Sequence, residues 1–126
     1  MTEAVTRKKT ILLVEDDDSV RHLLRLSLER HDFEVVEASG GAEGLDLLER
    51  RRPDAVVLDL MMPGGDGERL LTELRGAPAT ERIPVVVVSG KPQVGEEVIG
   101  LVGRENFLTK PFDPQTLVDR VKALVA

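Results

Sequence analysis

Five short apolar runs recur along the chain, each followed by an amphipathic stretch, and this alternation limits the fold more than any other feature. The strand candidates are residues 10–14, 34–37, 55–58, 84–88 and 106–108. The runs ILLV, AVVL and VVVV are unbroken rather than alternating, as central strands covered on both faces require. Between them, Val20, Leu23, Leu24, Ser27 and Leu28 share one helical face by the 3.6-residue rule, as do Leu117, Val118, Val121, Leu124 and Val125. Residues 41–50 and 68–75 supply a second and a third helix. A fourth is weaker, bounded by Pro92 and carrying Gly95, Gly100 and Gly103, each of which costs ~1 kcal/mol against alanine inside a helix; that segment should be short or mobile. Strand and helix patterns in this order build an α/β, doubly wound parallel sheet of the (βα)5 kind, in one domain of residues 10–126 after a flexible tail of residues 1–9. In such sheets functional groups gather at the carboxyl ends of the strands.

The residues at those ends make chemical sense together. Glu15-Asp16-Asp17-Asp18 follows the first strand, Asp59 the third, Ser89-Gly90-Lys91 the fourth and Lys110-Pro111 the fifth. Adjacent ends would place several carboxylates, a hydroxyl and an ammonium in one crevice. Crowded carboxylates repel, so they need a cation or a proton between them, and hard oxygen donors favour Mg²⁺. Asp17 and Asp18 have a simpler role as caps or solvated groups at the start of the first helix. His22 and His31 read as surface residues. Composition narrows the field further. With 17 basic against 23 acidic residues and a net charge of -6, direct binding to nucleic acid or an anionic membrane is disfavoured. The absence of cysteine excludes disulfides and thiolate metal sites. No leader or apolar span is evident, and a cytoplasmic location is expected.

These residues carry a resemblance. From Thr10 to Ala126 the chain resembles the receiver domain of two-component response regulators, and within that family the single-domain, chemotaxis-regulator-like members. In ILLVEDDDSVR, Glu15 and Asp16 match the acidic pair; in VVLDLMMPGGDG, Asp59 matches the phosphoacceptor; in VVVVSG, Ser89 matches the Ser/Thr position; in FLTKPF, Lys110 matches the lysine. The resemblance implies a flavodoxin-like strand order 2-1-3-4-5, a cis Lys110-Pro111 bond, and Mg²⁺ held by Asp16, Asp59 and the Met61 backbone carbonyl, with Glu15 acting through a water. It implies a signalling domain rather than an enzyme. Asp59 would take a phosphoryl group from a sensor histidine kinase or histidine phosphotransfer protein, assisted by Lys110 and Ser89. Ser89 and Phe107 match the switch pair, although Phe107 reads equally as a core residue. The fourth helix, fifth strand and fifth helix would present the change to a downstream protein, with the chain monomeric or weakly dimeric when phosphorylated and no output domain after Ala126.

The resemblance also implies that the positions two past the phosphoacceptor and two past Ser89, here Met61 and Lys91, tune phosphoryl lifetime. Met61 cannot orient an attacking water as an amide can, so slow self-dephosphorylation is expected; Lys91 either shields the phosphate or does nothing. Other readings fit less well. A flavodoxin would stack its flavin on aromatics, and Trp and Tyr are absent. A haloacid-dehalogenase-type phosphatase needs an aspartate where Met61 stands, and a P-loop is missing. A receiver-shaped interaction module that is never phosphorylated is the remaining alternative.

Overall fold

The computed structural model describes residues 7–90 and 96–126. Its elements follow the order β1 (Thr10–Val14), α1 (Asp18–Glu29), β2 (Glu34–Ala38), α2 (Gly41–Arg51), β3 (Ala55–Asp59), α3 (Asp66–Gly76), β4 (Val85–Ser89), α4 (Glu96–Val102), β5 (Phe107–Thr109) and α5 (Pro114–Val125). All strand pairs are parallel and the order is β2-β1-β3-β4-β5. This is the doubly wound arrangement expected from the alternation and the resemblance.

The unbroken valine and leucine runs explain the two-sided core. Successive strand residues point to opposite faces. Leu12, Val14, Val56, Leu58, Val85 and Val87 pack with Leu48 of α2, Leu70, Leu71 and Leu74 of α3 and Val102 of α4. Their neighbours Ile11, Leu13, Ala55, Val57, Val86 and Val88 pack with Leu24 and Leu28 of α1 and Leu117, Val118 and Val121 of α5. The edge strand β2 carries Glu34, paired with Arg51, and Glu37, paired with Arg21 and Arg25, charges of the kind that discourage edge-to-edge association.

Register sets the position of the site. Ala38, Val14, Leu58, Val87 and Phe107 form one continuous rung across the sheet. Glu15 and Asp59 lie one residue beyond it, and Ser89 two beyond, paired with Thr109. Every strand therefore ends within one or two residues of the same line.

Several boundaries differ from those read in the sequence. β3 and β4 extend to include Asp59 and Ser89, because the ladder continues through the pairs Asp59 with Val88 and Ser89 with Thr109. The fifth strand begins at Phe107 rather than Asn106. Asn106 lies in a 3-10 turn, where its buried amide donates to the Val102 carbonyl at 2.7 Å and its Oδ1 accepts from Arg120 at 2.9 Å. Leu23, placed on the buried stripe of α1, is 52% exposed; it falls at the stripe's margin and lines a surface hollow with Val20, Lys110, Pro111 and Phe112. α4 has seven residues among those described and ends at Gly103, whose φ of 91° favours glycine. Arg75 of α3 holds this weak helix from outside, donating to the Leu101 carbonyl at 2.7 Å and to Ile83 at 2.6 Å. Residues 7–9 are exposed and lack regular structure; the rest of the expected tail, and Lys91, Pro92 and Gly95, lie outside the described residues.

Candidate functional site

Each acid at the site owes its place to a strand end. Glu15 follows β1 and is held by its own backbone N–H, which donates to the Ala38 carbonyl at 3.1 Å. Asp17, next in line, caps α1 by accepting from the N–H groups of Ser19 and Val20 at 2.9 and 3.1 Å. Asp18 turns away to pair with Arg21 and is exposed. Of the four consecutive acids, only Glu15 and Asp16 are left to face β3.

There they meet Asp59. Glu15, Asp16 and Asp59 bring one carboxylate oxygen each within 4.8 Å of the others, with Glu15 and Asp59 buried and Asp16 exposed. Lys110, after β5, reaches back to place its Nζ 2.8 Å from Glu15 Oε1 and 3.7 Å from Asp59 Oδ2. The Met61 N–H donates to Asp59 Oδ1 at 2.9 Å, while the Met61 side chain stays 43% exposed. Ser89 is fully buried at the end of β4, and its carbonyl accepts from the Lys110 N–H at 2.7 Å. The Lys110-Pro111 bond that follows is cis. Phe107 is half-buried and packs against the core on the α2, α3 and α4 side of the sheet. His22, on α1, is exposed and His31, just after it, is half-exposed.

The electrostatics divide the two buried acids. Burial, together with the neighbouring Asp59 carboxylate, raises the Glu15 pKa from 4.5 to about 7 against the pull of Lys110. Burial alone would raise Asp59 as well. Hydrogen bonds from Glu15 and the Met61 N–H, with the charge of Lys110, outweigh it and hold Asp59 below its usual range. Lys110 is raised, because its bond to Glu15 and the surrounding carboxylates overcome its own burial. Glu15 Oε2 is buried and, as a carboxylate oxygen, has no hydrogen-bond partner among the described residues. When protonated, the Glu15 carboxyl is a donor to the neighbouring Asp59 carboxylate. Of the two buried acids, Glu15 is thus the one pushed toward its protonated form and Asp59 the one held toward the carboxylate. The unsatisfied oxygen and the three converging carboxylates suit a small hard cation, which would replace that proton. A buried carboxylate beside acids that suit a cation, with a lysine in reach, is an arrangement that can support phosphoryl transfer.

Comparison with known proteins agrees with the fold. The family model for the response regulator receiver domain matches residues 11–122. The chain belongs to that family. As a receiver domain it is 42% identical over 116 residues, 91% of its length, to the response regulator MprA of Mycobacterium sp. strain KMS. It is 37% identical over 118 residues to the alkaline phosphatase synthesis transcriptional regulatory protein PhoP of Bacillus subtilis. It spans about half the length of these curated relatives, covering 50% and 48% of them. A putative response regulator from Chloroflexus aurantiacus superimposes with a TM-score of 0.82 at 34% identity, over 94% of this chain and 98% of that one. A CheY-like receiver domain protein from Methanospirillum hungatei shares the fold, with a TM-score of 0.83 at 24% identity.

Two residues that shape the site were not singled out in the sequence. Arg21 reads there as one more charge on a solvated helix face, yet it donates to the Glu15 carbonyl at 2.8 Å. Gly67, before the third helix as read in the sequence, lies against the backbone of Asp59. Its only sequence signal is its place in the PGGDG segment.

Proposed function

We propose that this receiver domain is a phosphoacceptor switch in which Asp59 takes a phosphoryl group from a histidine kinase or a histidine phosphotransfer protein. The observation that carries the reading is the placement of Asp59, ionised and buried, within one cluster with Glu15, Asp16 and the Lys110 ammonium. An Asp59 carboxylate oxygen attacks the phosphorus in line, a new P–O bond forms as the P–N bond to the donor imidazole breaks, and the product is an acyl phosphate. Lys110, already 3.7 Å from Asp59, offsets charge on the transferring oxygens, and the Ser89 hydroxyl donates to another of them. Asp16, Asp59 and the Met61 carbonyl are the groups that would hold Mg²⁺, with Glu15 acting through a water. Bound there, the ion supplies neutralisation of phosphoryl charge.

The phosphoryl group adds dianionic charge and acceptor oxygens, which draw Ser89 toward them and leave space that Phe107 fills by turning inward. Because Phe107 has no hydroxyl, the change is passed to a partner through shape and apolar packing on the α4, β5 and α5 face. The domain acts as a signalling element, and its only chemistry is on its own aspartate.

Incubation with Mg²⁺ and acetyl phosphate is expected to add one phosphoryl group by intact mass, and Asp59→Ala to gain none. No gain in the parent protein favours an interaction module that is never phosphorylated. After the donor and Mg²⁺-bound product are separated, the label is expected to decay over many minutes or longer, since the Met61 thioether cannot orient the attacking water. Decay within seconds in Mg²⁺ buffer refutes that role for Met61. Lys91, the second position tied to lifetime, falls outside the described residues.

A further inference from the structure

We propose that Arg21 is a positioning residue for the cation site, acting through the peptide group that joins Glu15 to Asp16. The inference rests on the reading of that cluster as a Mg²⁺ site. The Glu15 backbone is held at both of its polar groups: its N–H donates to the Ala38 carbonyl of β2 at 3.1 Å, and its C=O accepts from Arg21 Nη1 at 2.8 Å. Since a peptide group is planar, fixing this carbonyl fixes the direction in which the chain enters Asp16. One guanidinium therefore sets both the buried Glu15 carboxyl and the exposed Asp16 carboxylate against Asp59.

Arg21 is itself anchored for that task. Its Nε lies 3.3 Å from Glu37 Oε1 on β2, its Nη2 pairs with Asp18, and its side chain is 17% exposed. A planar fork can serve a carbonyl and two carboxylates at once, which a lysine ammonium on a flexible stem cannot match in fixed geometry. Truncation strands no buried charge, because Glu37 keeps its 2.7 Å pair with Arg25 and Asp18 is 88% exposed. Its main consequence falls on the Glu15 carbonyl.

The sign of the effect separates positioning from charge. A cation near a Mg²⁺ site repels the ion, so if Arg21 acted only through its charge, removing it would tighten binding. Loss of a group that orients metal ligands instead weakens binding, by about 10-fold or more. The test is calorimetric titration of MgCl₂ into the full chain, Arg21→Met and Arg21→Lys at pH 8, with amide exchange of β1 and β3 as a control for folding. The expected result is a Kd raised about 10-fold in Arg21→Met and raised by less in Arg21→Lys, with strand protection retained. Arg21→Lys keeps the charge, so an unchanged Kd there overturns the inference even if Arg21→Met folds poorly. Equal or tighter binding by Arg21→Met also overturns it, while absence of Mg²⁺ binding in the parent protein overturns the site reading and this inference with it.

Discussion

Glu15→Gln is expected to stabilise the metal-free protein at pH 8, by as much as about 3 kcal/mol, and to leave it nearly unchanged at pH 5. The reason is the proton that Glu15 holds. Its pKa is raised from 4.5 to about 7 on folding, so between those values the folded chain binds a proton that the unfolded chain has lost. Stability then falls as pH rises through that window, by about 1.4 kcal/mol for each pH unit between the two values. Asp59 behaves in the opposite sense. Its lowered pKa contributes stability above the usual 3.8, lost only as pH falls below that. Glutamine is neutral at every pH, and its amide preserves the contacts: the NH₂ donates to Asp59 as the protonated Glu15 does, and the oxygen accepts from Lys110. A melting temperature raised by about 5 °C or more at pH 8 is expected, with little difference at pH 5. Millimolar Mg²⁺ should raise the parent protein's melting temperature at pH 8 by more than the variant's. A Glu15→Gln variant whose advantage is greatest at pH 5, or absent at pH 8, shows that these acids do not repel as described.

Gly67→Ala is expected to destabilise the fold by about 3 kcal/mol, the upper end of the cost of forcing atoms into a packed site. A methyl group at this position would lie 2.5 Å from the Asp59 carbonyl oxygen and 2.8 Å from Leu60 Cα. Both are backbone atoms at the carboxyl end of β3 and cannot swing aside as a side chain can. The first turn of α3 and the aspartate would have to separate, carrying Asp59 away from Lys110. Thermal unfolding should show a loss of about 10 °C, with weaker Mg²⁺ stabilisation in what remains folded. Gly76→Ala is a control on the same helix, because nothing lies within 4 Å of its added carbon. A Gly67→Ala protein as stable as Gly76→Ala contradicts the close approach.

These two residues mark the boundary of what the sequence discloses. The alternation of ILLV, AVVL and VVVV with leucine-bearing helices was enough to place five parallel strands, because fully buried strands leave a continuous apolar record. The acids, Ser89 and Lys110 were legible for a related reason: parallel strands end on one side, so residues that follow them converge. Local order within that side was not legible. Which carboxyl is pushed toward protonation depends on the burial of Glu15 beside Asp59 and on the Met61 N–H 2.9 Å from Asp59, surroundings made by residues far apart or set by a turn. Asn106 looks like part of a strand in the sequence because its real partners, the Val102 carbonyl and Arg120, meet it only when α4 and α5 are in place. Arg21 has the same character. On a helical wheel it is a solvated charge, and only the β1 to α1 turn brings the Glu15 carbonyl to it. Gly67 is legible only as a glycine in a turn, since a missing side chain records no partner.

The most direct test is to find where a phosphoryl group goes. The protein treated with acetyl phosphate, once in Mg²⁺ and once in EDTA, is reduced with borohydride, which converts an aspartyl phosphate to homoserine, and the digested peptides are read by mass spectrometry. Homoserine in place of aspartate at position 59 in the Mg²⁺ sample, and unmodified Asp59 in the EDTA sample, is the predicted result. Conversion at Asp16 or at any aspartate other than Asp59, or no conversion with Mg²⁺ present, contradicts the account.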